Sequence, residues 1–204
     1  MEVFNINVYE IAQSAVASGF PMLSSYPTEE EFEIASDLAY KEGPENHHFK
    51  RLFKLAKAPD GSGHKNALKG ILVAFNVTGS IKWWTQAERY SHFEIVSSMS
   101  TMHKLKDLVE SGHVGFAPET AVEVINAFEF YYNEHNDLPV SELAYSVPVG
   151  LELCARVTTN YLQLRTIWVQ RHNHPLEEWK LFCQFIEGLP YAQQLILNKG
   201  AEDE

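Results

Sequence analysis

The 204-residue chain has only two cysteines, carries 16 Lys and Arg against 27 Asp and Glu, and has no apolar run near the length of a membrane span. Each shortage excludes something. Cys154 and Cys183 sit in apolar runs without a CxxC or a histidine at metal spacing, so they read as packed thiols, not as a disulfide framework. A formal charge of −11 argues against a generic nucleic-acid binder, which needs a basic surface to displace counterions from phosphates. A small anionic ligand is compatible with it. A helical membrane span needs about 20 consecutive apolar residues, and Met1-Glu2-Val3 opens without a basic, hydrophobic leader, so the expected location is cytoplasmic. His172-Asn173-His174 invites a metal or nuclease reading. A metal site needs several convergent ligands, however, and these three fall at a helix-to-helix junction, so no metal is expected.

What the chain does have is apolar residues, at 45%, enough for one sizeable core. The expected organisation is a single domain over residues 1–197 with an acidic tail at 198–204. Val3 to Val8 alternates as a strand, followed by a helix over Ile11 to Ala17. Thr28 with Glu31 forms a capping box for a helix closed by Gly43-Pro44. A second helix runs from Glu45 to Lys57, burying Phe49, Leu52, Phe53 and Ala56 and turning Lys50, Arg51, Lys54 and Lys57 to solvent. Gly70 to Val77 reads as a buried strand, Thr78-Gly79-Ser80 as the start of a helix through Arg89, and His92 to Val96 as a further strand. Helices are expected from Pro118 to Asn133, at Ser141 to Tyr145, and from Pro175 to Ile186. The class is α+β, dominated by helix.

The stretch from Ala155 to Ile186 reads as helical, which sets Asn160 and Arg171 eleven residues, about three turns, apart on one face. An amide and a guanidinium so placed suit the two ends of a planar, hydrogen-bonding ligand. Leu164, Ile167 and Trp168 share or flank that face, so on the spacing alone the stripe is mainly core, with an arginine that snorkels or pairs at its edge.

Three segments together resemble the flavin-dependent thymidylate synthases. The first is Gly61-Ser-Gly-His64-Lys-Asn66 followed by GILVAFNVTGSIKWWTQAERY, matching a His-containing loop, a strand and a short helix ending in Gln86-Ala-Glu-Arg89. The second, RYSHFEIVSSMSTMH from Arg89 to His103, lies where the family has an Arg-His-Arg run and a Ser- and Arg-containing substrate loop. The third is Val147-Pro148, Thr158-Thr159-Asn160, Arg171 and HNHPLEEWK, in the family's order and spacing. The chain departs from the pattern at Tyr90, Ser91, Leu162, Thr166 and Ala144, where the family places His, Arg, Arg, His and Arg.

The resemblance implies a helix-rich α+β domain with a small central antiparallel sheet, FAD as cofactor, and methylation of dUMP to dTMP with methylenetetrahydrofolate and NADPH in a homotetramer. It implies no covalent cysteine. Arg171 is the implied catalytic residue, facing the pyrimidine. Gln86, Arg89, Ser97, Ser98, Ser100 and Thr101 are implied to bind the substrate, with His103 or Lys104 standing in for a missing arginine. His64, Asn66, Arg89, Tyr90, Ser91 and Asn160 are implied to contact the cofactor. Plainer readings stand beside these. Arg171 pairs with Glu177 or Glu178, Arg89 satisfies helix carbonyls, the Ser/Thr run caps a helix over Met102 to Val109, and His64 and Asn66 belong to a Gly-rich surface turn. The departures also allow a different transferred group, as in pyrimidine hydroxymethylation, or a non-catalytic nucleotide-binding protein.

Overall fold

The computed structural model describes residues 1–59, 61–110 and 115–197, and for Lys104 and Leu108 only the backbone. The acidic tail at 198–204 and the Lys104 side chain therefore lie outside the described residues. Four strands, β1 (Glu2–Tyr9), β2 (Leu72–Ser80), β3 (Glu94–Ser98) and β4 (Glu152–Asn160), form one antiparallel sheet in the order β1-β2-β4-β3. The helices are α1 (Ile11–Ala17), α2 (Glu29–Glu42), α3 (His47–Ala56), α4 (Ile81–Ala87), α5 (Thr101–Glu110), α6 (Val122–Glu134), α7 (Val140–Leu143), α8 (Tyr161–Arg171), α9 (Glu177–Glu187) and α10 (Ala192–Leu195). No helix among the described residues is long and apolar enough to cross a membrane. The α+β class expected from the sequence is the class observed.

The chain groups into two compact units, one of Met1–Asn5 with Phe75–Val157, the other of Ile6–Ala74 with Thr158 onward. In the first, Phe93 packs on Phe75 and edge-on to Trp83, with centroids 6.1 and 6.2 Å apart, and Trp83 is fully buried. A second cluster of Leu105, Phe128, Tyr132 and Leu143 joins α5, α6 and α7. In the other unit α1 packs on α2 and α3, and Phe49 and Phe53 meet Tyr191 at 5.1 and 5.8 Å. There α8 buries Tyr161, Leu164 and Ile167, and α9 buries Trp179, Phe182, Cys183 and Ile186.

Several expectations hold closely. α1 spans the expected residues. The Thr28 capping box forms in full, with Glu31 N–H donating to Thr28 Oγ1 at 3.2 Å and Thr28 N–H to Glu31 Oε2 at 2.8 Å. Gly43 ends α2 at φ 57°, a conformation that a side chain would strain.

Other boundaries are corrected. The expected helix from Ala155 is strand as far as Asn160, because Ala155, Val157 and Thr159 are buried while Arg156 is half-buried and Thr158 exposed. That is a period of two, favoured by the β-branched run Val157-Thr158-Thr159. The remainder divides into α8 and α9, because Pro175 between them has no N–H to continue a helical ladder. β2 runs on to Ser80, whose hydroxyl accepts from Trp83 N–H at 3.1 Å and so caps α4. α6 begins at Val122, four residues after Pro118, which lies in the preceding turn. Arg51, expected on a solvated face, is half-buried against the end of α1.

Where β4 passes into α8, Tyr161 N–H donates to Ile71 O at 3.1 Å, and its buried hydroxyl donates to Pro190 O at 2.8 Å. Burial raises the Tyr161 phenol above its ordinary value, with a further contribution from Tyr191. Tyr161→Phe leaves the Pro190 carbonyl without this donor and is expected to cost about 1 kcal/mol in urea unfolding, with an unchanged slope.

Candidate functional site

In the Met1–Asn5 and Phe75–Val157 unit, the expected substrate residues follow from how α4 is held. Trp84 donates its Nε1–H to Leu153 O at 3.1 Å, tying the helix to β4. Gln86 is half-buried near the end of α4, while Arg89 lies one residue past its C-cap Glu88 and is exposed. Tyr90 is half-buried and Ser91 exposed in the same turn. Ser97 and Ser98 are exposed at the end of β3, not in a turn. Met99 N–H donates to Cys154 O at 2.9 Å, which fixes the strand end. Ser100 Oγ lies 3.0 Å from His103 Nδ1, and Thr101 opens α5. The result is a run of hydroxyls where a strand gives way to a helix, exposed at Ser97 and Ser98 and half-buried at Ser100 and Thr101, with a histidine beside it.

In the other unit the 3-10 helix His64–Lys69 replaces the expected surface turn, entered through Gly63 at φ 77°. His64 and Asn66 are exposed on it and line a cavity of about 610 Å³ that Ser14, Ser18, Leu55 and Met22 also line. α8 packs against this 3-10 helix.

Asn160 and Arg171 stand at opposite ends of α8, about 16 Å apart at 1.5 Å per residue. The shared helical face is thus corrected, because Asn160 has extended backbone and is the N-cap of α8. Its Oδ1 accepts from Gln163 N–H at 2.9 Å, and its Nδ2 donates to no group among the described residues. The Arg171 guanidinium carbon lies 4.8 Å from the centroid of the buried Trp179 ring. A cation over an indole face gains roughly 0.5–2 kcal/mol and is held in one orientation. Of the carboxylates expected beside Arg171, Glu177 pairs with Lys180 at 2.6 Å. Burial, with Arg171 secondary, holds His174 below its ordinary value. Leu162 and Thr166 cover part of the same helix, and the Thr166 hydroxyl is spent on Leu162 O at 3.1 Å.

Arg51 and His48 are absent from the expected site. Arg51 donates through Nε to Ser18 Oγ and through Nη2 to the carbonyls of Ala15 and Val16, at 3.1, 3.0 and 3.2 Å. Nη2 also lies 2.7 Å from His48 Nδ1. Burial, then His47 and Arg51, pushes His48 down to about 4, so at neutral pH it is the acceptor. The available signal was Gly19. A Cβ there would lie 2.5 Å from Arg51 Nη2, so the glycine makes room for the guanidinium.

No family model matches the chain, and no curated protein matches it. Two solved structures of Helicobacter pylori proteins are similar to it. Thymidylate synthase X (ThyX) with FAD and dUMP is 16% identical, with a TM-score of 0.67 over 97% of this chain and 98% of that one. The flavin-dependent thymidylate synthase ThyX complexed with FAD and dUMP is 15% identical, with a TM-score of 0.67 over 97% and 99%. At such identities the likeness shows the fold, and it is the fold the sequence resemblance implied.

Two measurements separate structural from binding roles. Asn160→Ala removes the α8 cap and is expected to cost about 1 kcal/mol, whereas Asn160→Asp retains the acceptor and the stability while losing the amide donor. Stability should also fall with pH. Because the folded value of His48 is depressed, the unfolded chain takes up the proton first as pH drops from 6.5 toward 4. His48→Gln is expected to flatten the dependence of unfolding free energy on pH across that window.

Proposed function

We propose that the chain is a flavin-dependent thymidylate synthase-like enzyme that methylates dUMP to dTMP with methylenetetrahydrofolate as carbon donor and NADPH as reductant. Its active sites form between copies of the chain in a homotetramer. The observation that carries this reading is the fold, matched over 97% of the chain to proteins whose structures contain FAD and dUMP.

The residues present fit FAD. His64 and Asn66 line a cavity within the 300–1,000 Å³ usual for small-ligand sites, and Asn160 has an amide donor left over from its capping role. The resemblance adds Arg89, Tyr90 and Ser91 to the groups proposed for the cofactor. When bound, FAD supplies the hydride that completes the transferred methyl group.

The remaining work belongs to side chains of the protein. Arg171, oriented by the Trp179 face, meets the N3 and O4 edge of the pyrimidine and stabilises the negative charge that develops there. A preorganised donor of this kind contributes about 3–4 kcal/mol in a water-excluded site. Gln86 and Arg89 orient the sugar-phosphate, while Ser97, Ser98, Ser100 and Thr101, with His103, receive the phosphate. Tyr90 stacks on the planar cofactor ring and Ser91 donates to it. Cysteine nucleophilic catalysis does not suit Cys183, which is buried and whose thiol burial pushes up to about 12.

Tyr90 and Ser91 also favour a second reading. Neither brings the positive charge that the resemblance expects beside the flavin, so the same fold then transfers a different group, forming a hydroxymethyl pyrimidine. Mass spectrometry of products from dUMP and dCMP separates the two, and plain dTMP from dUMP excludes the second. The first reading predicts a yellow protein whose flavin absorbance bleaches with NADPH, and colourless protein that binds no FAD at micromolar concentration would overturn the cofactor assignment. Arg171→Ala is expected to lower kcat/KM by about 10²-fold or more, and an unchanged turnover would argue for a non-catalytic nucleotide-binding protein.

A further inference from the structure

Arg51 is a half-buried cation facing no carboxylate among the described residues. Its partners are two backbone carbonyls, one serine hydroxyl and the neutral His48, and Nη1 donates to none of them. Burial alone holds its guanidinium below its ordinary value. A desolvated charge without a counter-charge is unfavourable, and the carbonyls at the end of the seven-residue α1 offset it only in part.

The surroundings of Arg51 are those of an anion site. It lines the cavity of about 610 Å³, and no Asp or Glu is among the described lining residues, in a chain with a net charge of −11. Ser14 lines the same cavity, is 7% exposed, and its hydroxyl has no hydrogen-bond partner among the described residues. Two glycines keep these groups in place. A Cβ at Gly19 would press on the Arg51 guanidinium, and one at Gly70 would lie 2.6 Å from Ser14 Oγ. The rest of the wall is mainly apolar, with Ala17, Leu55 and Met22, which suits a planar ring beside the charged corner.

We propose that Arg51 and Ser14 bind the diphosphate of a dinucleotide cofactor in this cavity, with Arg51 as the fixed cation and Ser14 as a hydroxyl donor. This rests on the flavin reading and names what holds the anionic part of the cofactor. The carbonyls of Ala15 and Val16 orient the guanidinium plane, so Nη1 is presented to a phosphate oxygen without further ordering. Ser18 is already committed, since its hydroxyl donates to Ala15 O at 2.6 Å and accepts from Arg51.

The test titrates wild type, Arg51→Gln and Ser14→Ala with FAD, ADP and riboflavin by calorimetry, with melting curves as a check on folding. Arg51→Gln is expected to weaken FAD and ADP about 10- to 100-fold and leave riboflavin unchanged, because riboflavin carries the ring without phosphate. Ser14→Ala removes a hydroxyl that makes no internal bond, so it tests the same site without risk to the fold and should weaken FAD and ADP several-fold. Equal losses for FAD and riboflavin, or unchanged FAD affinity in both variants, would overturn the proposal while leaving the flavin reading intact. ADP binding that depends on Arg51 in a protein that ignores FAD and riboflavin would uphold the anion site and overturn the flavin reading. Wild type that binds none of the three overturns both.

Discussion

The passage from β4 into α8 is the constraint on which the functional half of the chain depends. Over two residues an extended strand becomes a helix, and side-chain and backbone hydrogen bonds fix the change. Asn160 turns its side-chain oxygen onto Gln163 N–H, and Tyr161 binds Ile71 O through its backbone and Pro190 O through its hydroxyl. Tyr161 is fully buried, so a slip of one residue would bring Leu162 to its place and leave the Pro190 carbonyl without its hydroxyl donor. The junction therefore sets where α8 starts. Ten residues later that start determines where Arg171 ends the helix and which ring it meets.

Small residues do comparable work at the end of α1. Ser18 and Gly19 let a long cation from α3 lie flat against the last carbonyls of a helix too short to hold its own C-terminus firmly. One guanidinium thereby closes a helix and forms a cavity wall at once. The neutral His48 beside it adds an acceptor without a competing proton at ordinary pH.

The two ends of the proposed chemistry rest on different kinds of support. Arg171 is oriented by a buried indole, a rigid partner that costs little ordering entropy. The Ser97 and Ser98 hydroxyls lie exposed at the end of β3, with Ser100 and Thr101 half-buried at the start of α5, and the exposed pair has room to adapt to a phosphate. Tyr90 and Ser91 change the electrostatics expected around a flavin more than its shape, since an aromatic face and a hydroxyl replace two basic groups. That is why the product chemistry is the most informative measurement.

By itself the sequence determined whatever local interactions decide. The capping box at Thr28 and Glu31, the span of α1, the buried strand through Phe75 and the α+β class were all legible, because caps, turn glycines and β-branched runs act on their own neighbours. The order of motifs around Gln86, Asn160 and Arg171 also carried the fold resemblance. Tertiary structure alone decided that Val157-Thr158-Thr159 is a strand and not the first turn of a helix, since a short apolar run fits both periods until a neighbouring strand selects one. It alone decided that Arg51 leaves the lysine face of α3. The residues that receive it, Ala15 to Gly19, lie more than 30 positions earlier, and a carbonyl at a helix end has no signature in the composition of the helix that supplies its donor.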